Sequence, residues 1–142
     1  MKRVKEMLDA KGRSVWTMDQ GACVFDAIKL MAEKEVGALI ITEGDKIAGV
    51  LSERDYTRKV ILMGRTSQQT QIQEIMTTEV VHVTSGQTVR ECMELMTEKR
   101  IRHLPVIDEG RLVGMLSIGD LVKTIIADQQ FTIEQLERYI SG

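Results

Sequence analysis

Apolar residues recur along this chain in two rhythms. Val24, Ala27, Ile28 and Met31 fall at i, i+3, i+4 and i+7, one stripe of a helix, and Val89 to Lys99 repeats that pattern. Around the stripes lie strand-length runs: Ser14 to Met18, Ala38 to Thr42 and Lys46 to Leu51, then Val80 to Thr84, Leu104 to Ile107 and Arg111 to Leu116. Glu43-Gly44-Asp45 and Asp108-Glu109-Gly110 read as hairpin turns joining the last two runs of each set. A further helix starts after Ser52 and another after Ser117. The pattern predicts strand, helix, strand, strand, helix, twice over.

Sliding the sequence by 65 residues brings the halves into register. Val15 meets Val80, Gly21 meets Gly86, Leu30-Met31 meets Leu95-Met96, and Gly49, Leu51, Ser52 and Asp55 meet Gly114, Leu116, Ser117 and Asp120. Upstream, Val4 to Leu8 aligns with Ile72 to Met76 at a shift of 68, which places an insertion around Lys11-Gly12-Arg13. The fold class is therefore α+β, with two βαββα copies related by a pseudo-twofold axis. The copies occupy residues 1–66 and 67–128, and a helical tail occupies 129–142. A single copy buries too little apolar surface to be comfortably stable, so the two pack together and any groove between them occurs in two related versions. Gly64 to Gln71, polar and without periodicity, reads as the linker. In the tail, Thr132 and Gln135 have capping-box spacing before Ile133, Leu136 and Ile140. That helix either covers its own domain or contributes to a dimer seam.

Charge narrows the function classes. Nineteen Lys+Arg against 21 Asp+Glu leave a net charge of −2, which argues against a nucleic-acid binder. Residues 1–71 carry 12 basic and 10 acidic side chains and residues 72–142 carry 7 and 11, an asymmetry able to orient a partner but small. No apolar run approaches the ~20 residues of a membrane span, and the N-terminus lacks the apolar stretch of a secretory signal. Cys23 and Cys92 have no partners at metal-ligand spacing, which fits a reduced compartment. A cytoplasmic protein with no metal, no membrane contact and no nucleic-acid partner is the expectation.

The strongest local signal is Gly-h-h-Ser-x-x-Asp (h, apolar), present as Gly49 to Asp55 and again as Gly114 to Asp120 at strand-to-helix junctions. Ser followed three residues later by an acid is a helix cap with capping-box spacing. Its recurrence after a glycine, which lets another group approach the backbone, supports a second use: the helix end attracts an anion, the Asp accepts from a ribose diol, and the Ser reaches sugar or phosphate.

With these residues in place, the chain resembles a pair of cystathionine β-synthase (CBS) domains from about Val4 to Ala127. Supporting phrases are Ile75-Met76-Thr77, Arg102-His103-Leu104-Pro105-Val106 and Ser52-Glu53-Arg54-Asp55-Tyr56. The resemblance implies a regulatory module, not an enzyme. It also implies a cleft between the copies that holds AMP, ADP, ATP, NAD(H) or S-adenosylmethionine, a homodimer, and a protein partner that reads the ligand. One site would use Ser52, Asp55, Gly37 and Ala38 with Val80, Val81 and Arg102. The other would use Ser117, Asp120, Arg102 and His103 with Val15 and Trp16. Phosphate donors would come from Arg54, Arg58, Arg102 or His103, and the sites would fill unequally. Trp16 either stacks on a purine or packs in the core, and His103 is either a neutral strand histidine or a phosphate donor. Against catalysis, the sequence holds no phosphate-binding Gly-Lys loop and no nucleophile–base pattern. The alternative to sensing is a purely structural dimerisation module.

Overall fold

In the computed structural model, which describes residues 2–141, the predicted order of elements is present in full in the first copy and, without its first strand, in the second. Helix α1 (Val4–Lys11) precedes the first copy, which runs β1 (Thr17–Asp19), α2 (Val24–Lys34), β2 (Ala38–Glu43), β3 (Lys46–Ser52) and α3 (Glu53–Tyr56). The second copy runs α4 (Val89–Lys99), β4 (His103–Asp108), β5 (Arg111–Ser117) and α5 (Ile118–Ser141). Both hairpins are antiparallel and carry a register shift at the same relative place, between Ile41 and Thr42 and between Val106 and Ile107. Helices α2 and α4 both end on a left-handed residue, Glu35 and Arg100, after which the N–H of Val36 and Ile101 reaches back to the carbonyl of Met31 and Met96.

Packing divides the chain differently from the repeat. One compact unit is residues 15–80; the other joins the N-terminal segment to residues 81–141. The segments that lead into each copy have been exchanged. Leading the second copy, a 3₁₀ turn (Ile72–Glu74) docks on the first: Ile72 N–H donates to Ala22 O, Gln73 N–H to Gln20 O, and Val24 N–H to Thr70 O. Leading the first copy, α1 docks on the second by matching bonds: Val4 N–H to Gln87 O, Lys5 N–H to Ser85 O, and Val89 N–H to Lys2 O. Each core includes its borrowed segment. Val4, Met7 and Leu8 are buried with Val89, Cys92, Met96, Leu104, Leu116 and Leu121. Ile72 and Ile75 are buried with Val24, Ala27, Leu39, Ile41, Leu51 and Val60.

Four expectations need correction. The first strand covers Thr17–Asp19, not Ser14 to Met18, since its extent is set by the parallel pairing of Thr17 with Ile40 through Asp19 with Thr42. Val80 to Thr84 forms no strand and keeps one parallel bridge, Val83 with Val106. The cause is Pro105. In the first copy Ile40 N–H donates to Trp16 O, but the equivalent residue, Pro105, has no N–H to give to Val81. Gly64 to Gln71 is not a free linker. Thr70 is buried, and the carbonyls of Ser67 and Thr70 accept from Phe25 and Val24, the unpaired donors at the start of α2. The tail is not separate either: α5 continues unbroken to Ser141, and the Thr132 hydroxyl donates to Asp128 O one turn back instead of capping a new helix. The first copy's equivalent helix stops early. After α3 it passes into a π turn (Thr57–Ile61) and ends at Gly64, whose φ of 70° suits glycine.

Candidate functional site

The two Ser-x-x-Asp motifs fold alike. Ser52 Oγ accepts from Asp55 N–H at 3.3 Å, and Asp55 Oδ2 accepts from Ser52 N–H at 3.0 Å and from Ser52 Oγ at 3.2 Å. At the second motif the corresponding distances are 3.2, 2.8 and 3.0 Å. The loop before each hairpin closes the first turn: Glu53 N–H donates to Gly37 O and Ile118 N–H to Arg102 O. Strand pairing sets Ala38 opposite Ser52 and His103 opposite Ser117. Gly37 and Ala38 thus lie beside Ser52 and Asp55, and Arg102 and His103 beside Ser117 and Asp120. Capping consumes donors that the sequence reading reserved for an anion, a correction to that reading.

The acids point into the protein, with side chains 13% exposed at Asp55 and 21% at Asp120. Each meets a lysine that the sequence reading missed. Lys59 Nζ sits 3.1 Å from Asp55 Oδ1 and donates to Ile75 O. Lys11 Nζ lies 2.5 Å from Asp120 Oδ2 and donates to Met115 O. Lys59 follows Asp55 by one helical turn, a spacing the sequence displays; Lys11 reaches Asp120 only through the exchanged α1. The two sites differ as a result. Asp55 has both carboxylate oxygens engaged, whereas Asp120 concentrates its bonds on Oδ2 and leaves Oδ1 without a partner among the described residues.

The motif glycines have a structural explanation. A Cβ at Gly49 would lie 2.6 Å from Thr77 O and 3.0 Å from Met76 Sδ; at Gly114 it would lie 2.6 Å from Leu8 Cδ2. What approaches these backbones is the exchanged leading segment, Leu8 in one unit and its repeat equivalent Met76 in the other, so the close approach expected at each glycine is made by the protein itself.

The remaining predicted residues divide between the units. Val15, Trp16, Val80, Arg54 and Arg58 belong to residues 15–80; Val81 belongs with Arg102 and His103. Lys34 Nζ stands 4.5 Å from the ring centroid of Trp16, a cation–π contact that covers one face of the indole. Arg54, Arg58 and Arg102 are exposed, and Val15, Val80 and Val81 are half-buried. Asp120 and Lys11 line a cavity of about 260 Å³ together with Lys2, Glu6, Lys123 and Thr124. In the other unit a cavity of about 560 Å³ lies between α2 and α3, lined by Ile28, Met31, Gly37, Glu53, Tyr56 and Thr57 among others. Among the described residues no cluster of His, Cys, Asp and Glu could hold a metal, and no helix is long and apolar enough to cross a membrane. Burial, helped by the Glu91 charge, pushes the Cys92 thiol up to about 11, which leaves it inert at neutral pH.

Titration gives the second site a pH signature. Burial lowers the His103 pKa, and the Lys11 and Arg102 charges add to the effect against the opposing Asp120 charge. Burial acts to raise Asp120, but its bonds to Lys11 and Ser117 outweigh burial and leave it below the ordinary carboxylate value. Both groups make the folded state resist protons that the unfolded chain accepts. The His103 contribution is intact above the ordinary imidazole value of about 6.5 and declines as pH falls from there toward its lowered value. The Asp120 contribution is intact above about 3.9 and is lost as pH falls through its own lowered value. The urea midpoint is therefore expected to decline on acidification in both windows, with His103→Gln removing the upper one. A midpoint flat from pH 7 to 5 in the unsubstituted protein contradicts this.

Comparison with known proteins fits this architecture. The sequence model of the CBS domain matches residues 24–61 and 72–127. The chain is 38% identical to the Arabidopsis thaliana CBS domain-containing protein CBSX3, mitochondrial, over 98% of its own length and 72% of the relative's. Other Arabidopsis relatives, such as CBSCBSPB2, are matched over only 22% of their length. Among solved structures, a protein with CBS domains from Burkholderia ambifaria MC40-6 superposes with a TM-score of 0.88 at 55% identity, covering 93% of this chain and 99% of that one. The hexameric CBS-CP12 protein from bloom-forming cyanobacteria superposes with a TM-score of 0.76 at 31% identity, covering 86% and 70%.

Proposed function

Because the chain belongs to the CBS domain family, we propose that it is a regulatory module whose ligand is an adenosine-containing nucleotide, held first through Ser117 and Asp120. The observation that carries this reading is the asymmetry between the acids: of the two, Asp120 alone keeps a carboxylate oxygen, Oδ1, without a partner among the described residues, and Asp120 lines a cavity with Lys2, Lys11 and Lys123 as well as Glu6. A diol acceptor beside ammonium groups suits a sugar carrying phosphate. Arg102 and half-buried His103 flank the same motif. At Ser52 and Asp55 a ligand must first displace Lys59, so that site fills second. Binding alters the module only as far as the ligand prefers one arrangement over another, and a second copy and a protein partner would read the result.

Thermal shift and calorimetry with AMP, ADP, ATP, NADH and S-adenosylmethionine test the proposal. At about 100 times Kd a ligand stabilises by about 2.7 kcal/mol. Asp120→Ala is expected to weaken binding roughly tenfold or more, as loss of a charge-assisted hydrogen bond should, and Asp55→Ala to weaken it less. The absence of a shift with all five compounds rejects the sensor and leaves the structural dimerisation module, which the closed capping boxes at both motifs favour.

A further inference from the structure

Helix α5 carries two apolar stripes, and its own unit uses one. Ile118, Leu121 and Ile125 pack into the core beside α1 and α4. Beyond Ile125 every described residue of the helix is exposed, sixteen residues extending about 24 Å at 1.5 Å per residue. The second stripe begins at Val122 and continues through Ile126, Gln129, Ile133, Leu136 and Ile140, at steps of four and three that alternate without a break. Its apolar members range from 42% exposed at Val122 to 82% at Ile140. A 3.5-residue period is that of a coiled-coil seam, whereas a helix lying on a sheet or globular core needs the 3.6 period and a wider apolar face. Helices in proteins draw most of their stability from packing an amphipathic face, and this face has no cover within its own unit, so a helix with the same repeat suits it.

We propose that the occupant is α5 of a second copy of this chain, lying antiparallel across a twofold axis. Reading the stripe with Ile126, Ile133 and Ile140 at a and Val122, Gln129 and Leu136 at d, an antiparallel partner fills every layer: Val122 faces Ile140, Ile126 faces Leu136, and Gln129 faces Ile133, each twice. Charge selects this direction. The flanking e positions are Lys123, Gln130 and Glu137, and antiparallel pairing sets Lys123 of one copy beside Glu137 of the other. A parallel pair sets both beside apolar or hydroxyl neighbours instead. The inference deepens the homodimer part of the proposed function and is independent of nucleotide.

Sedimentation of the full chain and a disulfide test decide it. The unsubstituted protein should sediment as an assembly, and Ile133→Asp with Leu136→Asp, both on exposed positions, should raise its dissociation constant roughly tenfold or more. Far-UV circular dichroism and Trp16 fluorescence check that the variant stays folded. The double variant Val122→Cys/Ile140→Cys should form covalent dimers on oxidation, while Ile140→Cys alone should not. A monomeric unsubstituted chain overturns both the homodimer reading and the seam. An assembly that survives the aspartates overturns the seam alone, and cross-linking by Ile140→Cys alone overturns the antiparallel direction.

Discussion

Deletion of residues 1–11 is expected to unfold the unit formed by residues 81–141, although none of the deleted residues belongs to the copy whose strands and helices it removes support from. Val4 and Leu8 are fully buried and Met7 nearly so, and together they form one wall of that unit's core. Truncation of one buried side chain of this size costs about 2–5 kcal/mol. Three such losses, with the bonds from Val4 and Lys5 to Gln87 and Ser85, match or exceed the roughly 5–15 kcal/mol that holds an ordinary domain folded. The single change Leu8→Ala should lower stability by about 2–5 kcal/mol, measured by urea unfolding followed by circular dichroism. An unchanged midpoint in either variant contradicts the exchange of leading segments.

The second large effect is expected at Gly49. Its added methyl in Gly49→Ala would lie 2.6 Å from the Thr77 carbonyl, which is itself tied in a reciprocal pair: Val50 N–H to Thr77 O and Thr77 N–H to Val50 O, both 2.9 Å. Backbone cannot yield there without breaking those bonds, so overpacking of about 1–3 kcal/mol and the loss of two hydrogen bonds at about 1 kcal/mol each combine. Gly114→Ala meets the flexible end of Leu8 instead, and a rotamer change absorbs part of the overlap. The order of destabilisation, Gly49→Ala above Gly114→Ala, is the readout, and the reverse order would count against backbone closure at Gly49.

Much of this fold is legible in the sequence. The repeat, the span of α4 and both hairpins follow from local spacing, and the capping geometry at Ser52 and Ser117 was visible as Ser-x-x-Asp. What escaped depends on long-range partners. Self-alignment identified Leu8 and Met76 as equivalents but could not tell which sheet each would cover. The missing strand at Val80 to Thr84 turns on Pro105, more than twenty residues away, whose effect is felt only once a parallel neighbour asks it for a hydrogen. The glycines show in the sequence only that some group comes close, because the group that fills their space belongs to a distant segment. Lys11 was invisible as a site residue for the same reason: it lay in what looked like an insertion. The exposed stripe of α5 was seen in part as Ile133, Leu136 and Ile140, but the assumed break near Asp128 hid its continuation to Val122.

The exchange of leading segments also sets a timetable for synthesis. The first unit can close soon after Ile72 and Ile75 are made, while α1, translated before either, has no surface to cover until Leu104 and Leu116 exist. At about 5–20 residues per second the ribosome needs roughly 5–20 s to travel from Leu8 to Leu116. For that interval Val4, Met7 and Leu8 remain unsheltered on the nascent chain, until residues made about a hundred positions later give them a place.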